Sequence, residues 1–341
     1  MARPILPLAA LVLALALAGC APPVQTVEDK TPLVWPSAPD APRVVFMKAF
    51  NRPDDLGIGR GWLQRVGDLL FGHDEARLIR PMAVVAAGDI VYVADPGAKG
   101  VHRFDQKARR YDLIHGVDGA ALVSPVGLAL GAAGEVYVSD SALAAVFVIR
   151  PGAKAAVPLK LGAQLVQPTG IAFDAESGRL FVVDTAAHRV QVFGRDGALE
   201  STIGQRGTAA GEFNYPTLIW RTPQGRLYVT DSLNFRIQSF DDSGQFLAKF
   251  GGQGDASGEL PRQKGVATDR YGHVYVVDSL FHAIQIFDEE GRFLLSVGAI
   301  GRERGEFWLP TGLYIDADDK IYVADSFNQR VQVLRYIGGP T

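Results

Sequence analysis

The chain has 341 residues, 48% of them hydrophobic, with 34 basic and 37 acidic side chains and a formal charge of −3. That is apolar material for a large core, and a charge balance that gives no strong field to draw in a polyphosphate backbone. The single cysteine, Cys20, excludes an intrachain disulfide, so stability must come from packing.

In chain order, Arg3 precedes an almost wholly apolar run from Ile5 to Leu17, closed by Leu17-Ala18-Gly19-Cys20. The run is too short for a permanent membrane span and reads as an export signal over residues 1–19. Its last four residues resemble a bacterial lipobox. That resemblance implies removal of the signal before Cys20 and acylation of the cysteine, with palmitate-type chains. The expected partner is then a lipid bilayer, and the expected location is the cell envelope of a bacterium. Ala21, rather than Asp, resembles the pattern sent on to the outer membrane in Gram-negative cells. Two or three acyl chains hold durably where one holds only marginally. Residues 20–42 carry Pro22, Pro23, Pro32, Pro36, Pro39 and Pro42 and predict a stiff extended tether.

From residue 43 to 337 the chain repeats itself. Val44 to Phe50 reads as a strand with no partner strands before it. Residues 51–80 form an insertion, in which Trp62, Val66, Leu69 and Leu70 recur at helical spacing and predict a short amphipathic helix. Six copies of one pattern follow. Each has a short run beginning at or near a proline, an aromatic and β-branched run ending in Asp, and a third short apolar run. The aspartates are Asp95, Asp140, Asp184, Asp231, Asp278 and Asp325, spaced by 45, 44, 47, 47 and 47 residues. That period and strand content predict an all-β, six-bladed β-propeller with four antiparallel strands per blade. The sixth copy runs out of chain before its outer strand. Val44–Phe50 is expected to supply that strand and close the ring, leaving no open sheet edge.

The Gly-rich connectors, such as Gly204 through Gly211-Glu212-Phe213-Asn214-Tyr215-Pro216, carry a more specific signal. So do Asp231-Ser232-Leu233-Asn234-Phe235-Arg236 and Asp325-Ser326-Phe327-Asn328-Gln329-Arg330. These resemble the NHL repeat, over Val44 to about Tyr336. The resemblance implies the propeller fold but a wide range of functions: protein-binding scaffolds, RNA-binding scaffolds, an amidating lyase and many exported proteins.

Each candidate residue has a bland reading beside it. Six aspartates at equivalent strand ends read as a turn device accepting backbone N–H groups, with Arg189, Arg236 and Arg330 as partners in three copies. Glu212, Glu259 and Glu306 read the same way. The six histidines form no convincing metal triad; His188 and His282 share a position but lie two blades apart. No cofactor or metal ligand set is expected. Arg206, Arg262, Arg302 and Arg304 share a face with Asp255, Glu259, Glu303 and Glu306, so nucleic acid is not the expected partner. Most innermost strands read as small and apolar, with Asp174, Asp269 and Asp316 only at their far ends.

The expected function is therefore a membrane-tethered extracytoplasmic scaffold or binding protein. It would present one propeller face to a protein, a peptide or an envelope polymer. The residues expected to form that face are Trp62, Arg206, Tyr215, Phe235, Arg262, Phe281, Arg302, Trp308 and Phe327, an aromatic and arginine mixture like that of binding hot spots. The alternative is an enzyme with a metal-dependent channel site, lyase-like or lactonase-like.

Overall fold

The computed structural model describes residues 32–59 and 76–338. Blade four shows how the repeat folds. Pro216–Arg221, Leu227–Asp231, Arg236–Phe240 and Phe246–Phe250 form a four-stranded antiparallel sheet in sequence order. Positive-φ glycines, among them Gly225 and Gly244, make the turns between its strands, because only glycine takes that conformation without a Cβ clash. Blades three and five repeat the arrangement.

Blade six is completed from the other end of the chain. Val44–Phe50 pairs antiparallel with Arg330–Tyr336, in register Val44 to Tyr336 and Phe50 to Val331. The ring is thus closed by an N-terminal strand, as the sequence requires. Val34–Trp35, inside the segment expected to be a tether, adds a fifth strand outside it, with Val34 opposite Val45. Trp35 packs on the core shared by blades five and six. Blades one and two depart from the simple repeat. Their outer strands, Arg110–Gly116 and Ala155–Pro158, meet in parallel and fuse the two blades into one eight-stranded sheet.

The hydrophobic core lies mainly between blades. One cluster joins Phe181, Val183 and Val192 of blade three to Ile219, Leu227 and Phe240 of blade four. Close approach of the innermost strands needs glycine. A Cβ on Gly265 would lie 2.6 Å from Leu313 Cβ, and one on Gly312 would lie 2.5 Å from the Met82 carbonyl oxygen.

The described helices are 3-10 turns at Pro53–Leu56, Thr185–Ala187 and Ser232–Asn234. None is long and apolar enough to cross a membrane. The amphipathic helix expected around Trp62, Val66, Leu69 and Leu70, the signal segment and Cys20 lie outside the described residues. The ends of the insertion are held together: the Leu78 N–H donates to the Asn51 carbonyl at 2.9 Å.

Candidate functional site

All six repeated aspartates are fully buried and spent on the fold. Asp140 accepts from the backbone N–H groups of Val123, Ser124, Ala142 and Leu143 at 2.7–3.1 Å. Asp95 accepts from Ile79, Arg80 and Ala98. Each carboxylate ties the end of the second strand to the connector entering the first. The residue four positions on is Lys99, Ala144, His188, Phe235, His282 or Gln329, and in every blade it has φ between 50° and 56°. This explains the shared position of His188 and His282: they close a left-handed turn. Their Nδ1 atoms accept the N–H groups of Tyr215 and Leu309, each at 3.1 Å.

The expected arginine partners hold in two blades. Arg236 and Arg330 each donate Nε to their aspartate at 2.8 Å and their Nη atoms to connector carbonyls. Arg189 does not reproduce this; its Nε is buried without a hydrogen-bond partner. The connector into blade three is not of the Gly-rich type whose carbonyls receive Arg236 and Arg330. A further device escaped the sequence reading, the glutamine seven residues after Asp in blades three to six. Gln238 donates to Asp231 and to the Glu212 carbonyl, and accepts from the Gly211 N–H. Recurrence of Gln191, Gln238, Gln285 and Gln332 at one offset was the available signal. Glu212, Glu259 and Glu306 cap their own connectors, accepting from Ala209, Ala256 and Glu303 N–H at 2.9–3.0 Å.

With these carboxylates occupied, the connector end of the ring has a distinctive surface. Every blade exposes a large apolar residue there: Ile79, Val123, Val166, Leu233, Leu280 and Phe327, the last 57% exposed. Of the residues expected on this face, Arg302, Trp308 and Phe327 come together. The Arg302 guanidinium lies 4.8 Å from the Trp308 ring, and the Trp308 and Phe327 rings are 6.1 Å apart. Tyr215 stands apart, edge-on to His188 at 4.4 Å. Phe235 and Phe281 are half-buried, while Arg206 and Arg262 are exposed and make no ion pair with described residues.

The axis holds a cavity of about 190 Å³, lined by the innermost strands of all six blades. It is less uniformly small and apolar than expected, because blades four and six contribute Trp220, Arg221 and Tyr314. Burial pushes the Tyr314 hydroxyl up to about 12. The acidic groups at the strand ends are engaged: Asp174 with Arg221 at 3.3 Å, and Asp269 with His273 Nδ1 at 2.7 Å and Tyr275 at 2.9 Å. Among the described residues, no three of His, Cys, Asp or Glu are placed to share a metal ion.

Two family models match the chain, one described as a 6-bladed beta-propeller over residues 262–336 and the NHL repeat over 165–193. No curated protein matches in sequence. Among solved structures the chain is similar to virginiamycin B lyase from Staphylococcus aureus, at 14% identity and TM-score 0.57, covering 85% of this chain and 99% of that one. It is also similar to an auxiliary nutrient binding protein from Bacteroides thetaiotaomicron, at 12% identity and TM-score 0.59, covering 77% and 71%. Kuenenia stuttgartiensis hydrazine synthase gives 13% identity and TM-score 0.54, covering 76% and 96%. At such identities the likeness is one of fold.

Proposed function

We propose that this NHL-repeat six-bladed propeller is a binding protein of the bacterial cell envelope, lipid-anchored through Cys20, whose connector end docks a protein partner. One fold houses a lyase in one neighbour and a nutrient-binding protein in another, so architecture does not choose between catalysis and binding. The disposition of side chains supports binding. The repeated carboxylates and the two paired-position histidines are spent on backbone donors, which removes them as acids, bases or ligands. The observation that carries the reading is the Arg302, Trp308 and Phe327 group within a rim of exposed apolar residues. Large apolar patches rimmed by polar groups mark docking sites, and Trp and Arg dominate their energetics.

The test is crosslinking in intact cells with a photoreactive residue replacing Phe327 on the connector end. A second variant carries it in place of Leu247, exposed on the outer strand of blade four. A discrete protein adduct from position 327 alone is expected, and Trp308→Ala should weaken capture by ~2 kcal/mol, the scale of a hot spot. Adducts from both positions alike, or from neither, would remove the connector end as the docking surface.

A further inference from the structure

At the end of the ring opposite the connectors, a charged pair ties one blade to the next. Five residues before the repeated aspartate, blades three and four carry Arg179 and Arg226; eleven residues after it, blades four and five carry Asp242 and Glu289. Arg179 crosses to Asp242, its Nη1 donating to the carbonyl at 2.9 Å and its Nη2 lying 3.8 Å from the carboxylate. Arg226 crosses to Glu289 at 3.6 Å. Between blades five and six the same two positions hold His273 and Tyr336. The ion pair is replaced there by two rings 5.2 Å apart, and His273 turns its Nδ1 to Asp269 at 2.7 Å. Both rings line a cavity of about 370 Å³.

The same cavity has an apolar wall from blade five, made by Ile286, Leu294 and Leu295, and a second wall from the N-terminal arm, which contributes Asp40 and Arg43. Pro36, Pro39 and Pro42 each fix their own φ and stiffen the arm. Its end is pinned: the Arg43 N–H donates to the Trp35 carbonyl at 2.7 Å, and the Ile337 N–H donates to the Arg43 carbonyl at 2.8 Å. The Arg43 side chain lies beside Tyr336, since a Cβ on Gly338 would meet the Tyr336 hydroxyl at 2.6 Å and Arg43 Cδ at 2.8 Å. Burial, and then the Asp269 charge, push the Tyr336 hydroxyl up, and the Arg43 guanidinium acts against them. Asp40 and Arg43 are both exposed, and neither forms an ion pair with the other or with any described residue.

Apolar walls with a few placed polar groups are the make-up of a small-molecule site. Here the charged groups are one cation and one anion on a single wall, which suits a ligand that carries both signs on an apolar body. The volume is more than twice the roughly 150 Å³ that holds benzene, so a ring and a charged head fit together. We propose that the cavity between blades five and six binds a free α-amino acid with an apolar side chain. Its carboxylate meets Arg43 and its ammonium meets Asp40. The side chain lies against Leu294, Leu295 and the rings of His273 and Tyr336. This site is at the opposite end of the ring from the docking surface and does not depend on it.

The probe is phenylalanine, titrated into the purified full chain and read by ligand-detected NMR and calorimetry. Phenethylamine lacks its carboxylate, and 3-phenylpropionate lacks its ammonium. Phenylalanine should bind about three- to fivefold more tightly than either, the range of an exposed ion pair. Arg43→Gln should remove its advantage over phenethylamine, and Asp40→Asn its advantage over 3-phenylpropionate. Ala41→Trp, a substitution at an exposed lining residue, should block the cavity and abolish binding, while Trp308→Ala should leave it unchanged. Equal affinity for the three probes, no binding of phenylalanine, or unaltered binding in folded Arg43→Gln or Asp40→Asn would overturn the proposal. Should the variants fail to fold, the parent protein decides by photocrosslinking to free p-azidophenylalanine, mapped by mass spectrometry. Adducts should fall on residues 36–43 or on Leu294 and Leu295 and be competed by phenylalanine; adducts elsewhere, or none, would overturn it.

Discussion

Asp95 and His102 stand where four other blades place an aspartate and a glutamine. A glutamine both donates to the carboxylate and accepts from the connector N–H, whereas an imidazole cannot copy that geometry. His102 Nδ1 instead meets the Tyr111 hydroxyl at 2.9 Å, and Nε2 lies 3.5 Å from Asp95 Oδ2 without forming a hydrogen bond. Burial by itself would raise the Asp95 carboxyl; the imidazole and the Ile79 and Arg80 N–H groups outweigh it and hold the carboxyl below its ordinary 3.8. A depressed carboxyl contributes stability that is present above its unfolded pKa and lost as pH falls through its folded one. Asp95→Asn should therefore cost on the order of 1–3 kcal/mol near neutral pH. The gap from the parent should close as the pH drops below about 4. Urea midpoints measured across that range check it, and a gap independent of pH would show that the charge on Asp95 does nothing.

At the scale of the strand, much was legible because the signal is periodic. The proline, the aspartate and the apolar runs recur at fixed offsets, so blades three to five appear with their strands nearly as read. The N-terminal strand was legible by subtraction, since blade six lacked its fourth strand. What escaped is what does not repeat. The pairing of Ala155 with His115 across blades one and two depends on neighbouring outer strands, and no local pattern encodes it. Val34–Trp35 was hidden in a proline-rich run. The added strand sharpens a truncation test. Removal through Pro32 should leave melting unchanged, and removal through Pro42 should lower it by stripping Trp35 from the core of blades five and six. Removal through Phe50 should expose the edge of Arg330–Tyr336 and cause aggregation. Calorimetry and light scattering on the three truncations check the order; indistinguishable second and third truncations would mean that Val44–Phe50 does not close the ring.

For the whole molecule, six copies of one repeat have been used unequally. Blades one and two are fused at their outer edges. Blades four to six carry the long Gly-rich connectors and the Arg302, Trp308 and Phe327 group. Repetition supplies the frame, and departures from it supply the candidates for function. The proposed function holds the chain at a membrane, and the candidate for this is the one cysteine. Cys20→Ala should abolish acylation and leave an unprocessed precursor or a soluble form. The propeller should melt at the parent temperature, because residue 20 precedes every described strand. Metabolic labelling with a clickable fatty acid, followed by fractionation of cells, reads both consequences. Labelled, membrane-bound protein in the variant would end the lipoprotein reading. Unlabelled protein still retained at the membrane would show that the connector end or another surface holds it there without lipid, and would transfer the anchoring role to the partner.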